Sequence, residues 1–198
     1  MIATMYSLER EDCKAMELKD TYSLHRAVYS LFPPEDGKTR NFLFADKGGD
    51  WNSRRILLLS DREPQKPEYG NINSKEVPDT FLNFDYYGFE VILNPTKRDI
   101  KTGKIVSIRG RENLIQWFIT KAPGYGFEVI QNSLQVNNVG VVTYKKDKGI
   151  CTHNTATFIG KLKVIDREMF IKSFKQGIGR AKGFDFGLLQ IIPININN

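Results

Sequence analysis

The chain has 198 residues, with 29 Lys+Arg against 23 Asp+Glu, a formal net charge of +6 and a sequence pI near 9.2. At 40% hydrophobic and 26% charged it has the composition of a globular protein long enough to bury a core, not of a disordered one. It holds no apolar run of the roughly 18–20 residues a spanning helix needs, no signal-like core between Met1 and Arg10, and too few cysteines (Cys13 and Cys151) for a disulfide framework, so a reducing cytoplasm is the expected compartment.

Residues 1–8 are short, apolar-rich and strand-like. Asp20 or Thr21 caps a helix over 21–32, in which Leu24, Val28 and Leu31 recur at i, i+4, i+7 as a core stripe, and Pro33-Pro34 ends it. Asn41–Ala45 and Arg55–Ser60 read as strands joined by the turn-rich stretch from Asp46 to Asp50. Residues 61–79 hold three prolines and read as loop with room for a short helix, while Phe81–Phe84 and Phe89–Leu93 are strand-like, broken at Tyr87-Gly88.

The second half loosely repeats this plan. A basic linker from Lys97 to Arg111 leads to a helix at about 112–121, then strands near 127–131 and 139–144. A turn at Lys145–Gly149 precedes the strand Thr155–Val164, Asp166 caps a helix that Gly177 ends, and Phe186–Ile192 closes the chain as a strand. Two successive β-α-β-β halves imply an α+β protein of tandem ferredoxin-like (βαββαβ) domains, residues 1–88 and 89–198.

The net charge conceals a split. Residues 1–93 carry 12 Lys+Arg against 16 Asp+Glu, a balance of −4, whereas residues 94–198 carry 17 against 7, a balance of +10. Such asymmetry points the second half at a polyanion. Lys97, Arg98, Arg109 and Arg111 punctuate the linker, Lys145, Lys146 and Lys148 crowd one hairpin tip, and Lys161 alternates with Lys163 along a strand. This spacing suits tracking a phosphate backbone, and any single run also fits a solvated face.

On the first helix Tyr22, His25 and Tyr29 share one face at i, i+3, i+7, with Arg26 at its edge. An imidazole, a phenol and a guanidinium so grouped can cut RNA with no metal or other cofactor. The substrate's own 2′-OH is then the nucleophile, and the protein moves protons and holds the phosphate. The same spacing also fits a packed or surface histidine. His153, in the polar run Thr152-His153-Asn154-Thr155, reads as a surface strand residue. With two histidines in the chain, no Cys/His zinc site is expected. Between the last helix and strand, Gly177, Gly179, Gly183 and Gly187 alternate with Arg180, Lys182 and two phenylalanines. Glycines there let backbone N–H groups approach phosphate, although a plain tight connection fits as well.

Asp20-Thr21-Tyr22-Ser23-Leu24-His25-Arg26, then Leu31-Phe32-Pro33 and Phe42-Leu43-Phe44, resemble the N-terminal pattern of the CasE family of CRISPR precursor-RNA endoribonucleases. Asn94-Pro95-Thr96-Lys97 resembles the start of its second half, and Gln176 to Lys182 through Gly187-Leu188-Leu189 its glycine-rich loop and closing strand. The resemblance implies paired ferredoxin-like domains of the RAMP type. It also implies metal-independent cleavage at the 3′ base of a repeat-RNA hairpin, leaving a 5′-OH and a 2′,3′-cyclic or 3′ phosphate, and retention as a subunit of the Cascade complex. By the same resemblance His25 is the catalytic histidine, Tyr22 assists it, and Lys145 to Lys148 and Lys161 grip the stem. A subunit that holds the hairpin without cutting it is the alternative. Where the family commonly has glycine this chain has Asp185, whose charge repels phosphate unless it points away or pairs with Lys182.

Overall fold

The computed structural model describes residues 1–34, 41–49, 53–146 and 149–195, with 144–146 as backbone. The first half runs β1 (Ile2–Glu9), α1 (Arg10–Ala15), α2 (Thr21–Ser30), β2 (Phe42–Asp46), β3 (Ser53–Ser60) and β4 (Asn71–Glu76). Its strands form an antiparallel sheet in the order β2-β3-β1-β4, in which Tyr6 faces Ile56 on one side and Ile72 on the other. The second half runs β5 (Tyr86–Leu93), β6 (Thr96–Arg98), β7 (Ile105–Ser107), α3 (Arg111–Lys121), β8 (Phe127–Val129), β9 (Gln135–Lys146), β10 (Gly149–Val164), α4 (Arg167–Gln176) and β11 (Gln190–Pro193). Its sheet has the order β11-β5-β10-β8, also antiparallel, with β9 paired to β10.

Both sheets thus have the strand order of a ferredoxin-like unit, and the α+β class stands. Several elements differ from the sequence reading. The second crossover of the first half has no helix, because residues 61–70 are irregular and lead into β4, a strand expected to be loop. Phe81 lies in a 3-10 turn over Asp79–Leu82, where the Phe81 N–H donates to the Pro78 carbonyl at 2.9 Å. Tyr87 and Gly88 interrupt nothing, since β5 is continuous across them. The basic linker folds as the β6–β7 hairpin, and the closing strand is confined to β11 because Phe186 to Leu189 are buried in the core instead.

The two-residue side-chain period of a strand explains how the halves join. On β2 and β3, Phe42, Phe44, Ile56 and Leu58 pack with Leu24, Val28 and Leu31 of the α2 region. The alternate positions Leu43, Ala45 and Leu59 belong to a second cluster with Phe89, Val91, Phe118, Phe158, Phe174 and Leu189. The first sheet is therefore apolar on both faces, one for its helices and one for the second half. Lys47 crosses the same junction, with its Nζ 2.6 Å from Glu90 Oε1 and 2.8 Å from Gln190 Oε1.

Candidate functional site

Asp20 caps α2: its Oδ1 accepts the Ser23 N–H at 2.7 Å, and Ser23 Oγ accepts the Asp20 N–H at 3.1 Å. The Ser23 backbone hydrogen bond is the main reason the Asp20 carboxyl lies below the usual carboxylate range. Burial of Leu24, Ala27 and Val28 fixes the roll of the helix and leaves Tyr22, His25 and Tyr29 half-buried on its flank. The His25 ring stacks on Tyr29 with centroids 3.9 Å apart and planes at 26°, and lies 5.9 Å from Tyr22 at 8°. Arg26 is exposed, with its guanidinium carbon 5.7 Å from the Tyr22 ring centroid.

A further stacking partner of His25 comes from the glycine-rich loop. Phe184 lies 4.7 Å from the imidazole with planes at 18°. Gly177 and Gly187 form the buried neck of that loop: the Ile178 N–H donates to the Gly187 carbonyl at 2.9 Å and the Gly187 N–H to Ile92 at 2.8 Å. A Cβ on Gly187, at φ +87, would lie 2.3 Å from the Ile178 carbonyl oxygen, so glycine is required there. Gly179 and Gly183 are half-buried higher in the loop, Arg180 is exposed, and Lys182 donates to the Gln176 carbonyl at 3.0 Å.

Asp185 points away from this surface. Its Oδ1 accepts the N–H of Asp46 at the end of β2, and Asp46 is itself paired with Arg54. Burial pushes the Asp185 carboxyl up to about 8, against the smaller opposing effect of the Asp46 N–H, so at neutral pH it is mostly protonated. The acid expected to trouble a phosphate path instead ties the loop to the first sheet.

His153 lies on a strand, as expected, but is not fully exposed. It is half-buried on β10, its Nδ1 is 3.1 Å from Asn94 Nδ2, and its ring lies 5.9 Å from Phe184 and 5.8 Å from Phe186. Burial lowers its pKa. Phe184 thus contacts both histidines of the chain. An aromatic residue amid glycines and basic residues was a visible signal for Phe184, whereas nothing in the sequence joins Asn94 to His153.

The basic residues occupy separate places. Lys97 on β6 and Arg109 before α3 line one groove with Trp117, whose Nε1 donates to the Thr96 carbonyl at 3.2 Å. Arg98 is exposed and donates to the Gly103 carbonyl at 2.7 Å, and Arg111 is exposed at the start of α3. Lys145 and Lys146 end β9, and Lys148 lies outside the described residues. Lys161 is exposed twelve positions beyond the start of β10, roughly 40 Å along an extended strand. It does not join the hairpin tip in one patch. Among the described residues no three His, Cys, Asp or Glu side chains are placed to hold a metal ion, and no helix is long and apolar enough to cross a membrane.

Residues 4–193 match the protein family described as CRISPR associated protein. The CRISPR system Cascade subunit CasE of Escherichia coli K12 is 26% identical over 195 residues, covering 89% of this chain and 94% of that protein. The CRISPR-associated endoribonuclease Cse3 of Thermus thermophilus is 24% identical over 115 residues, 53% of this chain and 54% of that one. A solved structure of CRISPR endoribonuclease Cse3 bound to 19 nt RNA superposes with a TM-score of 0.84 at 20% identity, covering 98% of this chain and 100% of the other. That superposition establishes the fold.

Proposed function

The chain belongs to the CasE/Cse3 family of CRISPR-associated endoribonucleases, and from that premise we propose that it binds a CRISPR repeat hairpin and cuts it at the 3′ base of the stem without a metal ion. The observation that carries this reading is the convergence of α2 and the glycine-rich loop on His25, stacked with Tyr29 and Phe184 and one helical turn from Tyr22. The substrate 2′-OH attacks the adjacent phosphorus as the P–O5′ bond breaks, giving a 2′,3′-cyclic phosphate and a 5′-OH. His25 and Tyr22 between them take the proton from the 2′-oxygen and deliver one to the leaving 5′-oxygen. Arg26, exposed beside Tyr22, holds the phosphate and its developing charge.

The basic second half grips the RNA through Lys97, Arg98, Arg109, Arg111 and the β9–β10 hairpin, with Lys161, Arg180 and Lys182 as further contacts. Acting in the cytoplasm, the protein then remains on the hairpin as a subunit of a Cascade assembly. The test is incubation with the repeat hairpin from the encoding locus in excess EDTA. One cut is expected, with a cyclic phosphate on the upstream product, and a 2′-deoxy sugar at the nucleotide before the cut blocks it. Uncut wild-type substrate overturns the reading, and tight binding without product would assign an RNA-holding subunit instead.

A further inference from the structure

Phe184, whose ring stacks on His25, is followed directly in the chain by Asp185. At residue 185 φ is +65, a conformation that glycine adopts freely and an aspartate keeps where its surroundings hold it. What holds it is the first sheet.

β2 is an end strand of that sheet, and the N–H of Lys47, the residue after it, donates inward to the Arg55 carbonyl of β3 at 2.9 Å. Alternation along a strand turns the N–H of Asp46 the other way, toward the open edge. Asp185 Oδ1 accepts it. Asp46 is fixed in turn, since its carboxylate pairs with Arg54 and accepts the Gly48 N–H at 2.9 Å. β2 also supports α2. Phe42 meets the Tyr29 ring edge-on with centroids 4.9 Å apart, and Tyr29 stacks on His25 at 3.9 Å. The contacts therefore close a circuit from β2 through Tyr29, His25, Phe184 and Asp185 back to β2. The loop bonds from Ile178 to Gly187, Gly187 to Ile92 and Lys182 to Gln176 stay within the second half, whereas Asp185 crosses to the first. Burial keeps the Asp185 carboxyl mostly protonated at neutral pH, against the Asp46 N–H, Arg54 and Lys47, which favour its charge. A neutral acceptor thus holds the strand, and asparagine is its nearest replacement.

We propose that Asp185 is a positioning residue for the cleavage: by fastening the glycine-rich loop to the strand that supports α2, it holds Phe184 against His25 and keeps the imidazole oriented for proton transfer. The inference rests on the reading of the chain as a nuclease with His25 as a reacting group. Asp185 touches neither the imidazole nor the RNA in this role, and acts through Phe184.

Single-turnover cleavage of the repeat hairpin at saturating protein and neutral pH tests this, with binding affinity measured beside it. Asp185→Gly relaxes the backbone and removes only the acceptor. It should cut roughly 2- to 10-fold more slowly, the scale of a lost ring contact, with affinity near wild type. Asp185→Asn should stay within about twofold of wild type. In a Phe184→Ala background, Asp185→Gly should slow the reaction no further, because the two substitutions break one contact. The ring resonance of His25 in the RNA-free protein should move in Asp185→Gly and hold its place in Asp185→Asn. A wild-type rate for Asp185→Gly, a rate for Asp185→Asn as slow as that of Asp185→Gly, or additive slowing in the double variant overturns the positioning role and leaves the nuclease standing. Uncut hairpin with wild type fells both. Should Asp185→Gly fail to fold, Asp185→Ala takes its place. If neither folds, Asp185 serves the fold and not the site, and the assignment falls.

Discussion

Residue 185 combines two features that cost a protein stability: a non-glycine side chain at φ +65 and a carboxyl out of water, pushed up to about 8. Because the folded-state value exceeds the ordinary 3.8, the folded protein holds this proton more tightly than the unfolded chain. Its contribution is fully present below about pH 4 and is lost as pH rises toward 8, by up to about 1.4 kcal/mol per pH unit. Asp185→Asn keeps an acceptor for the Asp46 N–H and does not titrate. The melting temperature of the variant relative to wild type should therefore climb between pH 5 and pH 8, and a pH-independent difference would contradict the buried-carboxyl assignment. Its neighbour Phe184 acts on His25 directly. Phe184→Ala removes a ring contact worth about 0.5–1.5 kcal/mol and should slow single-turnover cleavage roughly 2- to 10-fold while hairpin affinity stays near wild type. His25 was legible because helical spacing alone groups it with Tyr22 and Tyr29. Phe184 was visible only as an aromatic residue of the glycine-rich loop, and its meeting with His25 and His153 was not, because no local period connects residues brought together across the fold.

Elements were legible where burial imposes a pattern. The apolar stripe and acidic cap of α2, and the Asp166 cap of α4 that accepts the Met169 N–H at 2.9 Å, could be read directly. β4 could not: Asn71–Glu76 is a polar edge strand, recruited by backbone pairing with β1 and by the Thr4–Ser74 hydroxyl contact at 2.8 Å. The β6–β7 hairpin escaped notice for a similar reason, since Lys97 pairs with Val106 in a ribbon with little apolar surface of its own. That ribbon is where the phosphate-tracking proposal is most easily measured. Lys97 and Arg109 flank the groove that Trp117 lines, and each phosphate contact contributes about 0.7–0.9 to the salt slope. Replacing both by glutamine should weaken hairpin binding and lower the slope of log K against log salt by about 1.5. An unchanged slope would move the RNA path elsewhere.

At the scale of the whole molecule, the acidic half presents α2 and the basic half presents the glycine-rich loop, and one shared core keeps them in register. Leu59 is 4% exposed within that core, so Leu59→Ala should cost about 2–5 kcal/mol and lower a single unfolding transition. Two separate transitions would show that the halves fold apart. The charge split between the halves was legible from composition. The mutual packing was not, although the uninterrupted apolar residues of β2 and β3 were its trace, since a strand exposed on one face would alternate. The central claim concerns what this packing positions, and single-turnover cleavage of the repeat hairpin by His25→Ala, read beside its binding affinity, tests it most directly. Cleavage should fall at least about 100-fold, the lower range for loss of a general acid or base, with affinity within about threefold of wild type. Cutting at the wild-type rate would contradict the assignment of His25 and with it the proposed site.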